Sequence, residues 1–425
     1  MIDPTLFRTD PERVRAAIRD KKAGDPAIVD QLIALDEERR GALTEMQAAQ
    51  SDAKAAAREI GILMKSGRKE EAQTHIQAQG TLKARVKELE ERGKHLDAEF
   101  SELMLSVPGL PHPDVPLGTS ESDNVIVHER GEKQTFDFDA LPHWELIERH
   151  GLVDFERGAK VAGAGFPFYV GKGARLQRAL IAFFLDRAAD AGFVEMQPPL
   201  LVNADAARGT GQLPDKEAMM YEATRDELFL IPTAEVPVTN FHAGEIFDAN
   251  ALPAKYAAHT PCWRREAGSY GKDVRGLNRL HQFDKVELVW FTRPEDSYDA
   301  LETLTAHAES LLDALGLPYR CLLMNSSDLG FTQSKKYDLE VWSAGQQRWL
   351  EVSSVSNFED FQARRAGIRY RDEDNKTAFV HTLNGSGLAL PRIVAALLEA
   401  GQRSDGSIDL PSALASYTGF DSIGA

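Results

Sequence analysis

Apolar residues in the first hundred positions recur at alternating steps of three and four. Asp25-Pro26 reads as a helix start, the aspartate able to cap free backbone donors and the proline preset for the first turn. Leu43 and Met46 then lead into Gln50, Ala53, Ala57, Ile60 and Met64. This spacing is a heptad seam. Ser66-Gly67 breaks it, and the pattern resumes with Leu82, Val86, Leu89, Gly93, Leu96, Phe100 and Leu103. Two helices joined by so short a break fold back antiparallel. At about 1.5 Å per residue each arm is roughly 55 Å long, and two helices enclose little core, so the hairpin is expected to project from a larger body.

Residues 106 to 124, SVPGLPHPDVPLGTSESDN, are dense in Pro, Gly and Ser and cannot continue a helix. The expected organisation is a hairpin domain over 1–106, a linker over 107–120 and a second domain over 121–425. In that domain TFDFDALPHWELIERHG reads as a short strand and a helix, and LQRALIAFFLDRAADAG as an amphipathic helix. ELFLIPT, KVELVWF and QRWLEVSS read as strands. The fold class expected is α+β on a substantially antiparallel sheet. No repeated βαβ unit carries a GxGxxG turn, GKGARL at 171–176 does not make one, and no GxxxxGK[ST] loop is present. Any use of ATP would therefore do without the common phosphate loop.

Composition narrows the setting. The chain has 425 residues, 43% hydrophobic and 27% charged, which suits a soluble globular protein of two or three structural units. Its two cysteines, Cys262 and Cys321, can build neither a disulfide framework nor a CxxC metal cage, and a cytoplasmic location is expected. The N-terminus has no apolar leader core, and no apolar run reaches the length of a membrane span, so no membrane association is expected. A net charge of −17 opposes non-specific adhesion to nucleic acid. Against that background the hairpin tip stands out, with Lys54, Arg58, Lys65, Arg68 and Lys69 facing the single acid Glu59. The heptads alone suit an ordinary dimerising coiled coil, and the basic tip shifts the balance toward RNA, although a solvated face would give much the same charge pattern.

Four later segments concentrate Arg, Glu, Thr and Ser. In FLIPTAEVPVTN (229–240), Thr233 and Glu235 offer a hydroxyl and a carboxylate two residues apart, which suits a primary ammonium. In CWRREAGSYGKDVRGLNRLHQFDKVEL (262–288), Arg264, Arg265, Arg275 and Arg279 fall in one predicted hairpin, too many cations for cross-strand ion pairs alone. LEVSSVSNFEDFQARR (350–365) supplies Glu351, Ser353 and Ser354, hard oxygens of the kind magnesium prefers. HTLNGSGLALPR (381–392) ends on Arg392 at a helix start.

Together these segments resemble the bacterial seryl-tRNA synthetase family, of class II, along essentially the whole chain. The resemblance implies a tRNA-binding hairpin and a catalytic domain that activates L-serine with ATP and transfers it to tRNA(Ser), and also to tRNA(Sec). GFVEMQPPLLV (192–202), with Gly192 and Pro199, is similar to motif 1 and implies a homodimer with tRNA bound across both subunits. The TxE loop, Thr233, Ala234 and Glu235, is assigned to serine. In motif 2, Arg264 is to span the α-phosphate and the serine carboxylate, and Glu266 is to face the adenine amino group. Phe283 is to stack on the ring with Leu280 nearby, and Glu287 is to accept from the serine hydroxyl. Arg275 and Arg279 are to face phosphate or the tRNA end. Glu351, Val352, Ser353 and Ser354 join the ATP site, with Glu351 and Ser354 holding Mg2+. Motif 3 brings Arg392 to the γ-phosphate and Asn384 and Ser386 to the serine pocket. Arg264, Glu351 and Arg392 make up the catalytic set.

Glu287 is expected to be left unpaired when alanine or glycine occupies the pocket, which would supply selectivity, with threonine excluded by shape. Two departures stand out. Arg265 replaces the usual serine after the motif 2 arginine, with its backbone contact to ATP expected to persist. GAGF (163–166) replaces GSRF, which removes a family arginine at Gly165. His281 and His381 lie within motifs without HxxxH spacing, so no zinc is expected. Two alternatives accompany this reading: an enzyme charging a carrier protein, and a non-catalytic RNA-binding scaffold.

Overall fold

The computed structural model describes residues 1–215, 218–248, 250–266 and 275–424. It divides into two compact units, residues 2–108 and residues 109 onward together with Met1.

In the first unit two long helices, α1 (Ile28–Lys65) and α2 (Lys69–Met104), run antiparallel through a turn at 66–68. Asp25 caps the approach to α1, accepting from Ala27 N–H at 2.9 Å, and the helix begins at Ile28, beyond Pro26. Cross-helix contacts fix the register: Arg39 Nε donates to Asp97 (2.7 Å) and Arg85 to Glu45 (3.2 Å). At the base Phe7, Ile18, Leu32, Phe100 and Met104 are almost fully buried, and Phe7 meets Phe100 edge-on with centroids 6.3 Å apart.

The seam of α2 follows the sequence pattern, with Leu82, Val86, Leu89, Gly93, Leu96, Phe100 and Leu103 all buried or half-buried. That of α1 is partly shifted. Met46, Ala53 and Ile60 face inward as expected, but they alternate with Ala42, Ala49, Ala56 and Leu63. Leu43 and Met64 stay 49% and 50% exposed, Ala57 is exposed, and Gln50 sits at the flank, reaching Glu90 at 3.3 Å. The cause is the alanine content: Ala48-Ala49 and Ala55-Ala56-Ala57 offer two adjacent stripes with the same spacing, and a methyl group fits either.

An eight-stranded sheet organises the second unit. In chain order its strands are β1 (Val125–Arg130), β2 (Val194–Met196), β3 (Ala254–Trp263), β4 (Gln282–Thr292), β5 (Tyr319–Leu323), β6 (Lys335–Ser343), β7 (Arg348–Asn357) and β8 (His381–Ala389). Their spatial order is β1-β5-β6-β7-β8-β4-β3-β2. Every neighbouring pair is antiparallel except β2 with β3. The expected α+β architecture is thus present.

Helices α3 (His143–His150), α4 (Lys172–Asp190), α5 (Ser297–Leu315) and α6 (Leu390–Ala400) accompany the sheet. Leu176, Leu180, Phe183 and Phe184 of α4, Leu304 and Leu312 of α5, and Ile393 and Leu397 of α6 share one core with Val286, Leu288, Val355 and Leu383 of the central strands. Burial on both faces explains why KVELVWF reads as a nearly continuous apolar run.

Two segments differ from the reading by pattern. TFDFDAL forms no strand, and at its end Leu141 bonds through its backbone to the Gln402 side chain (N–H to Oε1 2.7 Å, carbonyl from Nε2 3.0 Å) rather than to a neighbouring strand. The Pro/Gly-rich stretch after residue 108 lies along the second unit instead of hanging free. Gly109 N–H bonds to Phe331 O and His112 N–H to Ser334 O (both 2.9 Å), while Val115 packs with Leu322, Met324 and Leu329.

Candidate active site

Alternation along a strand sends residues i, i+2 and i+4 to one face. On β4 that rule aligns Phe283, Lys285 and Glu287. With β7, β8 and the loop before the short helix Glu235–Asn240 they wall a cleft of ≈ 460 Å³. The cleft brings together Thr233, Glu235, Arg264, Glu266, Leu280, Phe283, Glu287, Glu351, Val352, Ser353, Ser354, Asn384, Ser386 and Arg392. These residues span more than 150 positions of sequence and meet only through the sheet.

Ala234 and Arg265 do not line it. Ala234 is fully buried in a satellite core with Val238, Phe247 and Phe291, so only its backbone is placed to serve the loop. Arg265 turns toward Tyr221, its guanidinium 5.9 Å from the ring centroid, while its N–H is bonded to Met219 O (2.8 Å). Motif 2 residues 267–274 lie outside the described residues.

One end of the cleft gathers the Thr233 hydroxyl with the carboxylates of Glu235 and Glu287. Thr233 Oγ1 donates to Glu287 Oε2 at 2.8 Å, and Glu235 N–H donates back to Thr233 Oγ1 at 3.2 Å. Glu235 Oε1 accepts from Gln362 Nε2 at 2.6 Å. Burial, and then the nearby Glu287 charge, push the Glu235 carboxyl up to about 7, partly offset by Lys285 and by the amides of Gln362 and Asn384. A docking ammonium would reverse that shift by pairing with the carboxylate.

Glu287 is 2% exposed and forms a buried ion pair with Lys285, besides accepting from Thr233. This corrects the expectation that an occupant lacking a hydroxyl leaves Glu287 unpaired: the carboxylate already has two protein partners. A hydroxyl docked there would complete this network rather than rescue an orphaned charge. Lys285 was not singled out in the sequence, although the alternation K-x-E on a strand was the signal that places it beside Glu287.

At the other end, Arg392 follows Pro391 in the first turn of α6 and is held by two backbone carbonyls, Asn278 O (from Nε, 3.0 Å) and Glu351 O (from Nη1, 2.7 Å). Arg264 Nε bonds to Pro232 O (3.3 Å), and its guanidinium carbon lies 5.2 Å from the Phe283 ring centroid. Glu266 is engaged by Arg279, which also lines the cleft, so an adenine amino group would have to share that carboxylate. Arg275 points elsewhere, over the Trp144 ring at 4.8 Å. The cleft also recruits Asn278 and Ser356, which lie within segments 262–288 and 350–365 but were not singled out, and Gln212 and Gln333, isolated polar residues whose sequence context carries no signal.

The donor set beside Arg392 suits a hard cation. Glu351 is half exposed in the cleft wall. Ser354 lies opposite Asp338 on β6, and Asp338 is 6% exposed with one oxygen, Oδ1, lacking a hydrogen-bond partner. Burial, and then the nearby Glu351 charge, push the Asp338 carboxyl up to about 7 against the opposing pull of its ion-pair partner Lys336. The hard oxygens of Glu351 and Ser354 in the cleft wall are the kind of donor Mg2+ takes. Ser353 is committed elsewhere, donating to Ser386 O at 2.7 Å.

Among the described residues one other group gathers metal-type donors, His128, Glu309 and Cys321, with ligand atoms within 4.8 Å of one another. It lies on β1, α5 and β5, outside the cleft, where His128 and Glu309 hydrogen-bond at 2.8 Å. The missing arginine at Gly165 is also accounted for. A Cβ there would lie 2.4 Å from His281 Cδ2, and the ring stacks on Phe166 and bonds to Tyr221 Oη (2.6 Å), filling the space beside residue 165.

A largely antiparallel sheet whose cleft gathers Arg264, Arg392 and the carboxylates Glu235 and Glu287, in a sequence without a P-loop, points to the class II aminoacyl-tRNA synthetase core. Comparison with known proteins agrees. Residues 219–401 match the model for the tRNA synthetase class II core domain (G, H, P, S and T), and residues 1–111 match the seryl-tRNA synthetase N-terminal domain. The chain is 61% identical to the serine–tRNA ligase of Salinibacter ruber over 426 residues, covering 100% of both. It is 48% identical to that of Exiguobacterium sibiricum, covering 99% of this chain and 98% of the other. A crystal structure of seryl-tRNA synthetase from Pyrococcus horikoshii complexed with ATP superposes with TM-score 0.93 at 36% identity, covering 100% of this chain and 99% of that one. The chain belongs to the seryl-tRNA synthetase family, and its activity is ATP-dependent ligation of serine to tRNA. Neither a carrier-protein ligase nor a non-catalytic scaffold fits these full-length matches.

Proposed function

We propose that the two ends of the cleft divide the reaction between them. The serine ammonium docks on Thr233 and Glu235 and its hydroxyl on the Glu287–Lys285 pair, with Asn384 and Ser386 closing the pocket. Adenine stacks on Phe283 near Leu280, its amino group meeting Glu266, and the triphosphate runs toward Arg392. The observation that carries this reading is the convergence of Thr233, Glu287, Arg264, Glu351 and Arg392 on one cleft.

The chemistry is positioning and charge neutralisation. A serine carboxylate oxygen forms a bond to the α-phosphorus as the bond from that phosphorus to the bridging oxygen breaks, and pyrophosphate leaves toward Arg392. Arg264 offers a planar fork to the α-phosphate and the attacking carboxylate. No side-chain base is needed, since the nucleophile is ionised at neutral pH. Glu351 and Ser354 would hold Mg2+, which when bound lends positive charge to the phosphate oxygens. A terminal ribose hydroxyl of tRNA then attacks the seryl carbonyl and releases AMP.

The hairpin is the element assigned to tRNA(Ser), through Lys54, Arg58, Lys65, Arg68 and Lys69, all exposed at its tip. Arg68 is partly spent on Glu71 (Nε to Oε1 2.8 Å), which leaves the lysines and Arg58 to meet phosphate. The motif 1 segment supports a homodimer spanned by tRNA: β2 ends the sheet with Val194 59% exposed, and Leu201, further along the segment and outside that sheet, is 43% exposed. Service to tRNA(Sec) rests on the family resemblance, and a cytoplasmic location on composition.

The test is ATP–pyrophosphate exchange with each of the twenty amino acids, followed by transfer to serine tRNA. Exchange with serine alone, then transfer, is expected. Exchange without transfer would overturn the acceptor assignment, and exchange driven by another amino acid would overturn the pocket assignment.

A further inference from the structure

The stretch 275–280 supplies Leu277, Asn278, Arg279 and Leu280 to the nucleotide end of the cleft. Its conformation is fixed from behind by a buried polar network. His143, at the start of α3 and 0% exposed, accepts a hydrogen bond at Nε2 from Leu277 N–H (2.9 Å). A ring nitrogen that accepts carries no proton, so the proton resides on Nδ1, which donates to Glu399 Oε1 at 2.9 Å. The same carboxylate oxygen accepts from His143 N–H at 2.8 Å. The other, Oε2, accepts from Ser343 Oγ and from Gly345 N–H at 3.0 Å. Burial opposes ionisation of Glu399, yet the bonds from His143 and Ser343 hold its carboxyl below the ordinary range, which keeps it an acceptor.

Gln346 ties this pair to the cleft. Its Nε2 donates to Glu399 Oε1 (3.1 Å), and its Oε1 accepts from Asn278 Nδ2 (2.9 Å). The Asn278 carbonyl in turn accepts from Arg392 Nε at 3.0 Å. Contact with His143 is also close: a Cβ on Gly276, at φ +68°, would lie 2.3 Å from His143 Nε2, so the chain passes the imidazole where no side chain fits. Arg275 on one side of that glycine lies over Trp144, the neighbour of His143. The hydrogen bonds described for Thr233, Glu235 and Glu287 come from other residues.

We infer that His143 is a positioning residue for the nucleotide: through Leu277 and Asn278 it sets the placement of Arg392, and so governs ATP binding while leaving the serine pocket alone. The inference rests on the reading of Arg392 as a triphosphate ligand. Serine and ATP are held by opposite ends of one cleft, so the two Michaelis constants separate this role from a general loss of structure.

The experiment is steady-state pyrophosphate exchange by the full-length enzyme, varying ATP and serine in turn, with thermal melting to establish folding. H143L, which leaves Leu277 N–H without its acceptor, should raise the ATP KM by about tenfold, the size of one lost buried hydrogen bond, with the serine KM within about threefold. H143Q, whose amide oxygen can still accept from Leu277 N–H, should restore the ATP KM to within about threefold of the native value. If H143L does not fold, H143N carries the expectation of H143L, because asparagine keeps a donor for Glu399 but ends short of Leu277. R392A is the control and should raise the ATP KM at least as much. A lower melting temperature with both KM values unchanged, or equal rises in both, would overturn the inference. An unchanged ATP KM in R392A would overturn the nucleotide reading of the cleft and the inference with it.

Discussion

Lys285 and Glu287 lie two residues apart on one face of β4 and form an ion pair that is almost entirely withdrawn from water. Removing one member of such a pair leaves the other charged and buried, a change that costs about 3–5 kcal/mol in other proteins. Lys285→Met is therefore expected to lower stability in urea denaturation by an amount of that order and to impair serine activation. Glu287→Leu in the same chain should recover part of the stability and none of the activity. A stability loss for Lys285→Met alone within the range of ordinary surface substitutions would contradict the pairing.

Glu287→Gln keeps the shape of the site and removes the charge that holds Lys285 and accepts from Thr233. Exchange with serine should fall by about a hundredfold or more, with the ATP KM little changed. An equal loss in ATP affinity would show that the two ends of the cleft are not independent.

On the proposed docking of serine, Glu235 is expected to give the enzyme a pH dependence. Its carboxyl is pushed up to about 7, so below that pH the proton competes with the serine ammonium for the same oxygens. The serine KM should rise as pH falls from 8 to 6, and Glu235→Gln should flatten the profile at a uniformly higher KM. The linkage has a thermodynamic side. The folded pKa lies above the unfolded one, so this group's contribution to stability is fully present below the ordinary glutamate pKa and is lost as pH rises through about 7. Serine binding near pH 7 should release protons, which calorimetry in buffers of different ionisation enthalpy would detect; no buffer dependence would contradict the shift.

The tip of the hairpin offers a test separable from chemistry. Replacing Lys54, Arg58, Lys65 and Lys69 by alanine should raise the KM for serine tRNA by about tenfold or more and flatten its salt dependence, while pyrophosphate exchange stays at the native rate. A native KM for tRNA would place the RNA contact elsewhere.

How much could be read from the sequence depended on how local the determinant was. The hairpin was legible because its seven-residue period is carried by α2 alone, from Leu82 to Leu103; half the seam of α1 was displaced by one position because alanines flank both candidate stripes. The cleft residues were legible in motifs, each a short run whose chemistry is visible in one glance at the chain. Ala234 and Arg265 show the limit of that reading, since a motif fixes backbone position and not which way a side chain turns. His143 lay beyond reach altogether: it is separated from Leu277 by 134 residues, and only the packing of α3 against the end of the motif 2 segment joins them.

The small side chains that displaced the seam also set the mechanics of the arm. Ala42, Ala49, Ala53 and Ala56 each withdraw little apolar surface, whereas Phe7, Leu32, Phe100 and Met104 at the base withdraw far more. Resistance to opening is therefore expected to be lower over the alanine-rich middle of the arm than at its base, and amide protons of residues 49–56 should exchange with solvent faster than those near Leu32 and Phe100. Compliance would then sit in the middle of the arm, between a tightly packed base and the Leu63–Ala72 contact region beside the turn that carries the basic residues.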